Sequence, residues 1–299
     1  MALRVWFWLV LLSVLWGGSF FFAKVAVGEL GPLTVVFARV ALAAVALDLA
    51  LVVRRRGLFR PGTPWRAYFT MGLLNNVLPF GLIFWGQTQI PSGLASILNA
   101  TTPLFTLVVA HYLTADETID RTKVAALLAG LAGVAVLVGP DVLIADVGLW
   151  GQVACLGAAL SYAFAGVYGR RFQAMGIAPL EAAAGQVTAS AMLILPIMLV
   201  VEQPWTLPAT PSPTVVAALA GLALLSTALA YILYFRILAA AGATNLLLVT
   251  FMIPVTAILL GSLVLDEQLL ARQFAGMALI AAGLALVESR IGRRLRLAE

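Results

Sequence analysis

Charge is scarce in this sequence. Asp, Glu, Lys and Arg make up 10% of its 299 residues, against about 25% in a soluble domain. Hydrophobic residues make up 63%. A soluble chain this apolar could not cover its own surface with polar groups, so lipid is the solvent that suits it. Cysteine occurs once, at Cys155, which excludes an intramolecular disulfide and reads as a small packing residue. Histidine occurs once, at His111 near the end of an apolar run, so neither a metal site nor a proton relay is expected. The only lysines are Lys24 and Lys123. With no G-x-x-x-x-G-K-[ST] loop, ATP hydrolysis is excluded as an energy source. A membrane-embedded enzyme remains as a reading of another class, but its catalytic constellation is absent: there is no H-E-x-x-H and no pair of mid-membrane aspartates. No basic stripe with interleaved aromatics offers a nucleic-acid surface, and no cofactor is implied.

What the sequence has in abundance is long apolar runs. A membrane-crossing helix needs about 20 mostly apolar residues. Polar, proline and glycine breaks divide the chain into ten such stretches, near 5–27, 33–53, 67–89, 92–113, 123–139, 148–168, 180–201, 214–237, 243–265 and 272–289. The first is too long for the apolar core of a signal peptide and is read as a span. With the N-terminus inside, fifteen of the eighteen Lys and Arg residues fall in cytoplasmic segments, as the positive-inside rule requires. Both termini are therefore expected in the cytoplasm, in a multi-pass protein of the inner membrane.

The two halves of the chain align. At an offset of 147 residues Lys24 falls on Arg171, Pro32 on Pro179 and Arg39 on Gln186. At an offset of 151, Asn99 falls on Thr250, Pro103 on Pro254 and Asp116 on Glu267. Five spans per half is an odd number, so the second half enters the membrane inverted. The expected fold is an all-α polytopic membrane protein of ten helices, with two inverted five-helix repeats around a central cavity. Residues 1–140 form the first repeat, 147–290 the second, and 291–299 a basic cytoplasmic tail. Inverted repeats give two nearly equivalent states, one open to each side, with a site near the midplane. Pro103 and Pro254 lie inside matched spans. Each removes a backbone donor, so both are expected at kinks that could act as hinges or line the cavity.

Polar and aromatic positions share helix faces. Ala95, Asn99, Thr102 and Thr106 follow i, i+4, i+7, i+11, as do Asn76, Phe80, Ile83 and Gln87. Thr227, Tyr231 and Tyr234 follow i, i+4, i+7, while Trp16, Phe20 and Tyr162 add rings from other spans. Amides and hydroxyls at mid-span avoid lipid; they either join helices or face a cavity. The candidate substrate-binding residues are Trp16, Phe20, Asn76, Phe80, Asn99, Tyr162, Tyr231 and Tyr234. Arg39, about six residues into its span, is expected to snorkel outward or to pair with a carboxylate such as Glu29, with binding of a substrate carboxylate as the alternative. Asp48 is expected as an end residue near Arg54, Arg55 and Arg56. With no charge placed in the cavity, the lining suits an uncharged or zwitterionic solute.

The order of motifs resembles the drug/metabolite transporter superfamily, and within it the ten-helix exporters with two EamA-type repeats. The first repeat carries LLSVLWGGSFFFAKVA (11–26), the arginine of VVFARVALA (35–43), ASILNATTPLFTLVVA (95–110), Asp116-Glu117 and the glycine-rich LLAGLAGVAVLVG (127–139). The second echoes it with ATNLLLVTFMIPVTAILLG (243–261), Asp266-Glu267 and FAGMALIAAGLALV (274–287). It departs in lacking the early Trp-Gly and in having Gln186 where the first repeat has Arg39. The resemblance implies a small-molecule exporter in the lipid bilayer, similar to exporters of amino acids, aromatic ones included. Drugs and other metabolites remain open as cargo.

Overall fold

The computed structural model describes residues 3–90, 92–114, 121–138, 148–206, 210–246, 249–256, 271–272, 274–276, 278–280 and 282. The described residues are helical, with no strand among them. Helix α1 spans Leu3–Ala26, α2 Pro32–Val53 and α3 Trp65–Gln89. The break expected between 87 and 91 ends α3, and two short helices follow, α4 (Ser92–Asn99) and α5 (Thr102–Leu113). Then come α6 (Arg121–Val138), α7 (Leu149–Ala174), α8 (Pro179–Val201) and α9 (Pro213–Gly242). Residues 249–256 are also helical. Among the described residues, six helices, α1, α2, α3, α7, α8 and α9, are long and apolar enough to cross a membrane. About half of the expected ninth and tenth spans, and the acidic pairs Asp116-Glu117 and Asp266-Glu267, lie outside the described residues.

Helix α2 explains why lipid is the solvent. Val36, Val40, Ala43, Leu47 and Leu51 are buried along one face. The opposite face presents Leu42, Val45, Leu49 and Val52, each about half or more exposed. A soluble amphipathic helix would carry polar residues there. Proline opens α2, α8 and α9, where its missing N–H breaks no intrahelical bond.

The helices of the two halves interleave. Helix α2 packs along α8, α1 along α9, and α3 along α7. Small residues permit the closest approaches: a Cβ added at Gly86 of α3 would stand 2.9 Å from both Cys155 Sγ and the Gly151 carbonyl of α7. Cys155 is the fully buried packing residue its surroundings require.

Two helices depart from α geometry at their middles. Leu73–Val77 in α3 and Gly221–Leu229 in α9 form π-helical turns. Such turns add a residue to one turn of helix and so shift every face beyond it.

Carboxylates tie the loops at one end of the bundle. Glu202 accepts hydrogen bonds from Leu33 N (2.8 Å), Thr34 N and Thr34 Oγ1 (both 2.7 Å), capping the start of α2. Gly31 leaves room for that carboxylate, since a Cβ there would lie 2.3 Å from it. Glu29 accepts from Ser212 N at 2.8 Å and Ser212 Oγ at 2.7 Å. Those two bonds, the backbone one foremost, hold the exposed Glu29 carboxyl below its ordinary range. A carboxyl lowered in the folded state contributes at pH above its unfolded value and loses that contribution as pH falls through the folded one. Exchange of the Ser212 amide, corrected for its intrinsic rate, should therefore be slowed at neutral pH. The slowing should vanish below the normal carboxylate range.

Candidate functional site

A cavity opens where the middles of α1, α2, α3, α7 and α9 converge with the α4–α5 junction and the stretch 249–256. Of the sequence-predicted residues, Trp16, Phe20, Phe80, Asn99, Tyr162, Tyr231 and Tyr234 line it. The rings of Trp16, Tyr231 and Tyr234 form one cluster. Trp16 lies 6.4 Å from Tyr231 and 5.9 Å from Tyr234, and the two tyrosines meet edge to face at 5.9 Å. Phe80 stacks on Phe84, one turn further along α3, with ring centroids 6.0 Å apart.

Asn76 does not line the cavity; its neighbour Asn75 does. The helical count assumed four residues per step before Phe80, but the π turn inserts one more. Asn75, Phe80 and Ile83, at i, i+5 and i+8, therefore share the inner face. Asn76 is fully buried behind the wall, where Nδ2 donates to Ser190 Oγ at 2.7 Å and Oδ1 accepts from the Tyr231 hydroxyl. It positions Tyr231. Asn76→Ala should strip both hydroxyls of a partner and cost about 2–4 kcal/mol, read as a lowered Tm. Asn75→Ala should lower solute affinity as well as stability, because Asn75 Nδ2 donates to the buried Gln186 Oε1 at 3.1 Å. Gln87, expected on the same face, is also buried away from the cavity, donating from Nε2 to the Phe20 carbonyl at 3.3 Å.

Of the roles open to Arg39, the structure excludes two. It neither snorkels nor pairs with Glu29, whose carboxylate is held by Ser212. Arg39 is 2% exposed and lines the cavity. Its Nε donates to Thr227 Oγ1 at 2.6 Å, Nη1 to Ser19 Oγ at 3.1 Å and Nη2 to the Ser226 carbonyl at 3.0 Å. Its Cζ lies 3.9 Å from the Phe80 ring centroid. The π turn of α9 presents Ser226 and Thr227 to it, and Thr227 Oγ1 donates five residues back to Leu222 O at 2.7 Å. The cavity therefore holds a buried positive charge, where a neutral lining was expected. Asp48, near the end of α2, is paired: it accepts from Thr188 Oγ1 at 3.1 Å, while Arg54, Arg55 and Arg56 stay exposed.

The expected kink at Pro103 is a full interruption. Ala100 and Thr101 separate α4 from α5, and Pro103 occupies the first turn of α5. Proline fits that position better than a helix interior, because the first-turn N–H groups have no intrahelical acceptor. Asn99 ends α4 at the break, and its Oδ1 is buried without a hydrogen-bond partner. Pro254 is buried within the helical stretch 249–256, whose Val249, Thr250 and Ile253 line the cavity.

The polar lining residues Ser19, Asn75 and Thr250, and the apolar Phe84, Leu246, Val249 and Ile253, were not among the sequence candidates. Thr250 had a signal, because it is the repeat partner of Asn99.

A bundle of membrane-length helices enclosing a polar and aromatic cavity is the build of a multi-pass membrane transporter. Comparison with known proteins places it further: the chain belongs to the EamA-like transporter family, matched over residues 3–139 and again over 149–289. The uncharacterized transporter YoaV of Bacillus subtilis is 27% identical over 97% of this chain and 99% of its own length. The uncharacterized inner membrane transporter YedA of Escherichia coli is 28% identical, with 92% and 88% covered. A probable amino-acid metabolite efflux pump of Escherichia coli is 26% identical, with 92% and 91% covered. A chain of known crystal structure superposes with TM-score 0.73 at 21% identity, over 96% of this chain and 97% of that one, which shows the fold alone.

Proposed function

We propose that this transporter exports amino acids with apolar or aromatic side chains, or related small metabolites, from the cytoplasm by alternating access without ATP hydrolysis. One observation carries the reading: both halves of the chain build a single cavity whose walls combine rings with amides and hydroxyls. Rings hold an apolar side chain or stack on another ring. The likeness to a probable amino-acid metabolite efflux pump supports this cargo. The same walls suit apolar drugs, so a test panel includes them.

Alternating access rests on ten helices in two inverted repeats. The family matches twice, over successive halves. The π turns begin 148 residues apart, at Leu73 and Gly221. The repeat partners Arg39 and Gln186 make matching contacts: Arg39 reaches Ser226 and Thr227 in the π turn of α9, while Gln186 Oε1 accepts from Asn75 in that of α3 at 3.1 Å. Ser226 is itself the partner of Asn75 at the offset of 151. We assign hinge roles to the segments at Pro103 and Pro254, and an inner-membrane location with both termini cytoplasmic.

Purified protein in liposomes, preloaded with labelled phenylalanine, should exchange it faster than alanine and without ATP. No exchange of any amino acid in the panel would overturn the assignment. For topology, cysteine placed at Gly31 or in the 204–212 loop should react with an impermeant reagent outside intact cells, and cysteine at Gly57 should not. The reverse pattern would remove the inverted arrangement.

A further inference from the structure

Arg39 is a buried charge with no anionic partner among the described residues. The described carboxylates are Glu29, Asp48, Glu181 and Glu202, and each is engaged elsewhere. Glu29 is held by Ser212, Asp48 by Thr188, Glu181 by Arg60 at 2.7 Å, and Glu202 by the start of α2. All three hydrogen-bond acceptors of Arg39 are neutral. A guanidinium has five N–H groups. The three bonds use one on Nε and one on each terminal nitrogen, so Nη1 and Nη2 each keep a second N–H. Those two N–H groups match the paired oxygens of a carboxylate. A cation in a water-poor membrane interior is costly unless an anion meets it.

The rest of the lining is asymmetric in charge. Among the described residues no Asp or Glu faces the cavity, so a bound ammonium would meet no negative side chain. What the cavity offers a nitrogen is the neutral Asn99 Oδ1, buried and without a partner. An amide oxygen accepts from an ammonium or from an uncharged N–H alike.

We propose that Arg39 is the charge-recognising residue of the cavity, and that the solute is a monocarboxylate with an aromatic or bulky apolar body for which a free ammonium group is not required. The proposal rests on the transport reading above and narrows its substrate class. The carboxylate seats on the two remaining N–H groups of Arg39. The body lies against Trp16, Tyr231 and Tyr234. The guanidinium is already oriented by Thr227, Ser19 and the Phe80 ring, so binding requires little reorganisation.

Three probes sharing one phenyl ring separate the charges: 3-phenylpropanoate carries the carboxylate alone, L-phenylalanine both groups, and 2-phenylethylamine the ammonium alone. Affinities for the purified full chain follow from the concentration dependence of the ligand-induced rise in Tm. The two carboxylates should bind within about tenfold of each other, and the amine about 10- to 100-fold more weakly, as loss of a charge-assisted pair requires. Arg39→Gln should abolish that preference and Arg39→Lys should keep part of it. An amine that binds as well as the carboxylates overturns the proposal. So does an unchanged preference in a folded Arg39→Gln. If Arg39→Gln does not fold, the wild-type ratio of carboxylate to amine affinity decides alone. If none of the probes binds, the proposal falls. Carboxylate binding without phenylalanine exchange in liposomes would leave Arg39 its role and remove the transport reading instead.

Discussion

Replacing Tyr231 by Ala should lower phenylalanine exchange in liposomes about 10- to 100-fold while alanine exchange changes little. Tyr231 is the centre of the ring cluster, with Trp16 and Tyr234 both within 6.4 Å. Each aromatic pair is worth about 0.5–1.5 kcal/mol beyond its buried area, and about 1.4 kcal/mol is a factor of ten. Losing the ring removes the solute's contact and loosens the two neighbours that shape it. A small side chain never reaches that wall, so its rate is the internal control. Two further variants separate wall from scaffold. Tyr231→Phe keeps the ring and loses the hydroxyl bonded to Asn76. It should keep most of the exchange and lose about 1–2 kcal/mol of stability. Trp16→Ala leaves that bond intact and should reproduce the selective loss for phenylalanine. Equal rates for all amino acids in both alanine variants, at normal Tm, would make the cluster mere packing.

Much of the cavity was legible because helical periodicity survives wherever a helix is regular. Tyr231 and Tyr234 lie three apart in the regular part of α9 and both reach the cavity. Legibility failed where the backbone leaves α geometry. Nothing in the run Leu73–Val77 announces a π turn, and that turn moves the lining position from Asn76 to Asn75. At Pro103 the chain stops its helix altogether, because Thr101 and Ala100 sit in a turn that the proline then follows. The inward course of Arg39 was hidden for a different reason. A membrane arginine that can reach an interface snorkels, and its distance along α2 allowed that. What holds it inward is long-range: Ser226 and Thr227 lie 187 and 188 residues away in sequence. Only the repeat could have exposed the contact, since Gln186 and Asn75 form its counterpart in the other half.

The repeat also bears on how the two halves divide the work. Arg39 and Gln186 occupy equivalent places, reach equivalent π turns, and differ in charge. In the inverted arrangement proposed above, such a pair would preserve the mechanical symmetry of two access states while confining the charge to one half. The solute would then bind in one orientation, with its carboxylate toward Arg39 in both states.

Gly86→Leu should lower the Tm by about 5 °C, whereas Gly81→Leu in the same helix should leave it unchanged or slightly raised. Both changes replace glycine inside α3, so both carry the same gain in helix propensity, about 1 kcal/mol. They differ in what the new side chain meets. At Gly81 the nearest atom to an added Cβ is Leu33 Cδ2 at 4.0 Å, an ordinary contact with a movable methyl group. At Gly86 it is Cys155 Sγ and the Gly151 carbonyl oxygen, both at 2.9 Å. A backbone oxygen cannot step aside without moving α7. Helices in lipid are held by close packing rather than by expulsion from water, so separating α3 from α7 forfeits the contact itself. Overpacking of this kind costs about 1–3 kcal/mol, and for a chain of this size each kcal/mol is worth about 2–4 °C. The same displacement reaches the cavity, because α3 carries Phe80 and Ile83 and α7 carries Tyr162 on facing walls. Gly86→Ala, the milder change, should keep the fold and still alter phenylalanine affinity. Adding Cys155→Ala removes the sulfur but not the carbonyl, so it should restore only part of the lost stability. Full restoration by Cys155→Ala would place the strain on the thiol alone and leave the α3–α7 backbone contact without a role.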